Sequence, residues 1–139
     1  MKSRKEGSRI FIRLETGDEV HSSLAEVATR YGVSGGWLDG IGAAKDVELG
    51  YYDLERKDYD RTKIEGEVEI APASGSLGLV DGKVFVHLHA VVSDRQCVPR
   101  AGHLFSAVTA ATLEFVLFVA EAPIERTRDE ATGLNLWRV

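Results

Sequence analysis

Ser76-Leu77-Gly78-Leu79-Val80-Asp81-Gly82-Lys83-Val84-Phe85-Val86-His87-Leu88-His89-Ala90-Val91-Val92 decides the fold class. Two β-favouring runs flank Asp81-Gly82, a dipeptide suited to the positive φ angles of a two-residue hairpin turn. In the second run Val84, Val86, Leu88, Ala90 and Val92 leave the strand on one side, and the residues between them leave on the other. The spacing predicts an antiparallel hairpin over 76–80 and 84–92, with one face set against a core.

Working outward, the same period of two recurs. Ile10, Ile12 and Leu14 alternate with Phe11 and Arg13. Val47, Leu49 and Tyr51 alternate with Glu48, Gly50 and Tyr52. Residues 59–70 read as a further strand, and 108–120 as a long β-favouring stretch. Only one segment changes period. Val20, Leu24, Val27, Ala28 and Tyr31 recur in steps of three and four, which predicts a helix over about 19–31. Ser23, Glu26 and Arg30 fall on its wet side, and Gly32 supplies a C-cap. The glycines at 35, 36, 40 and 42 suit a bulge or a close strand approach. The C-terminal run, with Leu134, Leu136 and Trp137, is expected to pack back onto the core. One N-terminal helix followed by many strands gives an α+β fold, a single domain with a mostly antiparallel β-sheet. Residues 1–8 are expected to form a flexible N-terminal arm and 9–139 the domain.

Composition narrows the function. A chain of 139 residues is the size of one domain and buries roughly two-thirds of its unfolded surface, so it needs no disulfide or metal to fold. With 17 Lys and Arg against 22 Asp and Glu, its net charge of -5 argues against a general affinity for nucleic acid. The lone Cys97 excludes a disulfide framework. The most apolar window, 104–120, holds Glu114 near its middle, a charge costly in lipid. It reads as strand and not as a membrane span. No long apolar stretch follows the basic residues of 2–9, so the expected setting is cytoplasmic, without membrane partners.

The chemistry sits on the hairpin's second strand. His87 and His89 are two apart, so both imidazoles leave the same face, which is otherwise apolar with Phe85 and Val91. His103 follows in Pro99-Arg100-Ala101-Gly102-His103. If the next strand pairs beside the first, three neutral imidazoles converge. Three protein ligands plus water is the open arrangement of catalytic zinc. The competing interpretation is a hydrogen-bonded His-x-His pair without metal. A cupin also uses a His-x-His strand, but the glutamate it wants a few residues on is absent, since 92–94 supply only Asp94. His21 opens the helix and reads as solvated or capping. Glu114 is a candidate acid/base or a support for a metal-bound histidine, with an arginine-paired core or interface carboxylate as the alternative. Arg100 is a candidate anion holder beside Gly102-His103, or an ordinary loop arginine.

The ordered set Ser34-Gly35-Gly36-Trp37, Gly40-Ile41-Gly42-Ala43, Leu49-Gly50-Tyr51-Tyr52-Asp53, Tyr59, Glu69-Ile70, Ser74-Gly75-Ser76, His87-Leu88-His89, Gly102-His103-Leu104 and Thr112-Leu113-Glu114 resembles the plants-and-prokaryotes-conserved (PPC) domain family. The resemblance runs from about Arg9 to Ala120 and is to free-standing prokaryotic members. It implies an α+β fold, a homotrimeric assembly and a family usually described as DNA-binding, in which plant relatives add AT-hook segments for A·T-rich DNA. No Arg-Gly-Arg-Pro core of such a hook occurs in this chain. A partner-contact segment of the plant domains looks like Gly66-Glu67-Val68-Glu69-Ile70-Ala71, but its second position is basic in plants and acidic here. The prokaryotic branch makes a metal, expected as zinc, at His87, His89 and His103 the leading site assignment. The expected function is a DNA-binding or regulatory oligomerisation protein with a three-histidine site. The alternative is a zinc-dependent enzyme that activates water against a small molecule.

Overall fold

Ile10, Ile12 and Leu14 all turn inward from one strand and all three are buried, the alternation read as a surface. The computed structural model describes residues 1–139. In chain order the elements are β1 (Lys2–Glu6), β2 (Arg9–Glu15), α1 (Val20–Arg30), β3 (Gly36–Asp53), β4 (Asp58–Ile64), β5 (Val68–Val80), β6 (Lys83–Ser93), β7 (Pro99–Val119), β8 (Arg126–Arg128) and β9 (Asn135–Trp137). The main sheet runs β1-β2-β7-β6-β5-β3-β4, with every pairing antiparallel. β3 also pairs with β7, so β3, β5, β6 and β7 close a ring of hydrogen-bonded neighbours. β8 and β9 form a separate small hairpin.

The helix begins where Glu19 accepts hydrogen bonds from the backbone N–H groups of His21 and Ser22. It ends at Gly32, whose positive φ of 64° lets the Val33 N–H return to the Ala28 carbonyl at 2.8 Å. Its apolar stripe, Val20, Leu24, Val27 and Ala28, is fully buried, and the helix lies against β6, β7 and β2. Ser23, expected on the wet side, is buried as well, because the helix is covered across a wider arc than its apolar stripe.

Three further expectations are revised. Residues 2–6 are not a loose arm: they pair as β1 along β2, and the N-terminal ammonium reaches Glu15 at 2.9 Å and Asp18 at 2.8 Å. The strand expected over 59–70 is two strands, parted at Glu65-Gly66-Glu67, where Gly66 takes a φ of 79°. The glycine-rich segment is the first half of the 18-residue β3, with a register shift between Gly40 and Gly42. The hairpin forms as read, with Asp81 and Gly82 at φ of 50° and 73°.

Candidate metal centre

The ring of strands brings the three histidines together. His87 and His89 leave the same side of β6, while Val86, Leu88, Ala90 and Val92 are buried on the other. β7 pairs antiparallel with β6 in the register that sets His103 opposite His89. Two glycines permit this closeness. A Cβ on Gly75 would collide with the His87 carbonyl, so β5 lies tight against β6 only because that position is bare. A Cβ on Gly102 would sit 2.7 Å from the Gly50 carbonyl oxygen, where β7 crosses β3.

One nitrogen from each of His87, His89 and His103 falls within 4.8 Å of the others. The ring centroids are 5.0 Å apart for His87 and His103, 5.2 Å for His87 and His89, and 5.5 Å for His89 and His103. Burial, with smaller contributions from Arg126 and His89, pushes the His87 imidazole down to about 4. Burial, then the neighbouring His87 and His89, pushes His103 down to about 3. Both rings are therefore neutral at pH 7, the state that donates a lone pair. The Nδ1 of His103 is buried and meets no hydrogen-bond partner. A buried nitrogen without a partner, beside two more imidazoles, fits a transition metal.

These rings line a cavity of about 1060 Å³. Tyr59 and Phe105 stand against His103, with ring centroids 5.0 and 4.6 Å away. Arg61 lies 3.8 Å over the Phe105 ring. On another side the β8–β9 hairpin folds over the opening and supplies Arg126, Leu134, Asn135 and Leu136. The Arg126 guanidinium donates to the Ser76 hydroxyl at 2.7 Å, to the Asn135 carbonyl at 2.7 Å and to His87 Nδ1 at 3.3 Å. A guanidinium only donates, so His87 Nδ1 accepts and the neutral ring carries its proton on Nε2.

Not every candidate belongs here. Arg100 is exposed at the rim of the cavity. Glu114 is not in this site. It is exposed on the outer surface of the β2-β7-β3 region, in register with Arg13 and Ile41. Leu113, Phe115 and Leu117 take the inward positions, so the alternation of β7 turns Glu114 out. His21, read as solvated or capping, is neither: only its backbone N–H donates to the Glu19 cap, and its half-buried side chain lines the cavity with Nδ1 buried and without a hydrogen-bond partner. Arg126, Tyr52 and Leu134 carried no local signal that placed them here. Tyr52 donates to the Thr132 carbonyl at 2.6 Å and so fastens the cavity wall to the C-terminal segment.

The sequence model of the Plants and Prokaryotes Conserved (PCC) domain matches residues 1–121. The chain belongs to the PCC domain family. Solved structures agree with this PCC assignment. A protein of Bacteroides thetaiotaomicron provisionally described as DNA-binding superposes with a TM-score of 0.94 at 27% identity, covering 99% of this chain and 96% of that one. A plant- and prokaryote-conserved protein of Pyrococcus horikoshii gives 0.89 at 26% identity, covering 96% and 92%. A protein of Archaeoglobus fulgidus described as metal-containing gives 0.88 at 32% identity, covering 97% and 96%. No curated protein matches the PCC chain in sequence. No helix of the fold is long and apolar enough to cross a membrane.

Proposed function

We propose that this PCC-domain protein is a homotrimeric zinc protein whose three-histidine centre serves a small-molecule ligand in the cavity above it. The observation that carries this reading is the convergence of three nitrogens within 4.8 Å at the wall of a cavity of about 1060 Å³. His87, His89 and His103 would hold the ion at the cavity wall. The chemistry such an ion would supply, if zinc, is activation of water near neutral pH, since zinc lowers the pKa of water to about 7. The metal-containing Archaeoglobus relative supports the same assignment.

The lining around the three histidines combines aromatic and aliphatic side chains with two arginines, Arg100 and Arg126. Asp60, the one carboxylate lining the cavity, is already engaged by Arg56 at 2.6 Å. Tyr59 stays protonated, since burial raises its pKa. Arg100 at the rim and Arg126 within are suited to orienting an anionic group. Metal analysis of purified protein tests the centre. One zinc per chain, lost in His87→Ala and in His103→Ala, is expected. Stoichiometric zinc that survives both substitutions would overturn it.

Trimerisation is supported by the outer face of β2, β7 and β3. Phe11, Trp37, Ile41 and Phe118 are exposed there in neighbouring register positions, with Phe118 opposite Trp37 and Ile41 opposite Glu114. An apolar group of that kind commonly marks a contact with another protein.

DNA binding is the second reading, favoured by the description of the Bacteroides relative. The strip of basic residues at the N-terminal edge weighs against it in this chain. Lys2 and Arg13 lie 3.6 and 3.1 Å from Glu15, and Arg4 lies 2.9 Å from Glu6, so these charges already have carboxylate partners. Binding to duplex DNA measured against salt decides it. A protein with several phosphate contacts loses about ten-fold or more over a few-fold rise in salt. Absence of binding at low salt removes direct DNA recognition.

A further inference from the structure

We infer that the cavity takes a small organic carboxylate with a flat apolar body, and that Arg126 is the residue that grips its carboxylate. The inference deepens the reading of this cavity as a ligand site and names the class of ligand.

Arg126 is half-buried and forms no ion pair. Its three hydrogen bonds go to a hydroxyl, a carbonyl and a histidine nitrogen, all neutral. Its Nε–H is buried and has no partner at all. A half-buried guanidinium with a buried, unpartnered Nε–H and no counter-charge carries a desolvation cost, and an anion that accepts in pairs relieves it. The rest of the cavity offers no internal anion. Arg100 adds a second cation, and Asp60, the one carboxylate of the lining, is tied to Arg56. The body of the ligand follows from the walls. Tyr52, Tyr59 and Phe105 form a connected aromatic group, with centroids 4.8 Å apart for Tyr52 and Tyr59 and 4.9 Å for Tyr59 and Phe105. Leu134 and Leu136 face it from the C-terminal hairpin. Flat, apolar walls beside one unpaired guanidinium describe an unsaturated acid better than a sugar or an amine.

His87 links this grip to the metal. Its Nδ1 now accepts from Arg126. If that lone pair goes to a metal, the Arg126 N–H loses its acceptor. If Nε2 goes to the metal instead, the ring proton moves to Nδ1 and faces the same N–H. In both cases a guanidinium donor is released beside the unpaired Nε–H, and the carboxylate takes the pair. Metal and carboxylate should therefore bind with positive coupling.

Benzoate, with benzamide as its uncharged analogue, is the probe. The wild-type protein is titrated with zinc alone, with benzoate alone, and with benzoate after zinc, following heat of binding and the Arg126 Nε–H resonance. Expected results are a shift of that resonance by benzoate, at least ten-fold weaker benzamide binding, tighter benzoate binding after zinc, and at least ten-fold loss in Arg126→Gln. Arg126→Lys should also lose affinity, because an ammonium cannot pair with both oxygens in the plane. An unshifted Nε–H resonance, or equal binding of benzoate and benzamide, overturns the inference without needing any variant. Failure of zinc to bind while benzoate still shifts Arg126 overturns the metal reading alone and leaves the carboxylate site standing. Zinc binding with no benzoate response does the reverse.

Discussion

Burial, with the neighbouring His87 and His89, pushes the His103 imidazole down to about 3, and burial pushes His87 down to about 4. The linkage between charge and stability follows from that depression. Folded His87 and His103 resist protonation, whereas in the unfolded chain they take up protons near the ordinary histidine value of about 6.5. Above that value both states are neutral and the two rings leave stability unchanged with pH. Below it the unfolded state binds more protons, so stability falls as the pH drops from about 6.5 through the folded values of about 4 and about 3. Metal-free protein should lose denaturation midpoint steadily across that window, and a double His87→Gln, His103→Gln variant should lose much less. Equal acid sensitivity in both proteins would contradict the neutral-ring assignment. At the same scale, removing a ligand should exceed the about 10–100-fold that loss of a supporting hydrogen bond costs in metal affinity. His89→Ala, at an exposed position, still removes one of three donors and should show this loss.

At the scale of elements, the close contact of β5 with β6 depends on an absent side chain. Gly75→Ala forces the two strands apart at the His87 carbonyl, or displaces that carbonyl. Overpacking of this kind costs about 1–3 kcal/mol, readable by chemical denaturation, and it should weaken zinc binding as well because it moves the strand that carries two ligands. A variant destabilised to that degree with unchanged zinc affinity would separate the scaffold from the site. Much of this organisation is legible in the sequence. Period-two alternation fixed the side of β6 from which His87 and His89 leave, and Asp81-Gly82 marked the turn that returns β5 to β6. The same alternation in β7 already turns Glu114 away from Leu113 and Phe115. The length of the apolar window hid that period. His21 and Arg126 were illegible for a different reason. His21 reaches the cavity because α1 packs across β6 and β7, and Arg126 because the chain returns after β7. Neither contact leaves a mark in local spacing. Tyr59 to Ile70 read as one strand because Glu65-Gly66-Glu67 carries a single glycine, a weaker break than Asp81-Gly82.

For the whole molecule, the outer face of β2, β7 and β3 is the test of assembly. Its rows set Phe118 opposite Trp37, Phe11 opposite Val116, and Arg13 and Ile41 on either side of Glu114. In a trimer this face would be covered. Light scattering should report about three times the 15.2 kDa of one chain, and a Trp37→Glu, Ile41→Glu variant should fall to one chain without losing its fold by circular dichroism. An unchanged mass in that variant would place the contact elsewhere. The cavity lies with the other half of the ring, so monomeric protein should keep its zinc.

The C-terminal hairpin gives this architecture two rates. The ring of β3, β5, β6 and β7 is stitched by long antiparallel ladders, bulged at a few positions, and closes on a packed interior. The chain leading into β8 is tied by few backbone bonds, Leu79 N–H to the Ile124 carbonyl at 2.8 Å and Ile124 N–H to the Ser34 carbonyl at 3.1 Å, and the hairpin beyond it is held mainly by side chains, among them Arg126 on Ser76 and Tyr52 on the Thr132 carbonyl. Segments so lightly fastened open at a free energy well below that of global unfolding. Amide protons over 126–137 should exchange with solvent far sooner than those of Leu88 or Leu104. The histidine-bearing floor would then stay shut on the clock of the whole protein, while the wall that carries Arg126 breathes on its own, setting how fast any ligand of the cavity would come and go.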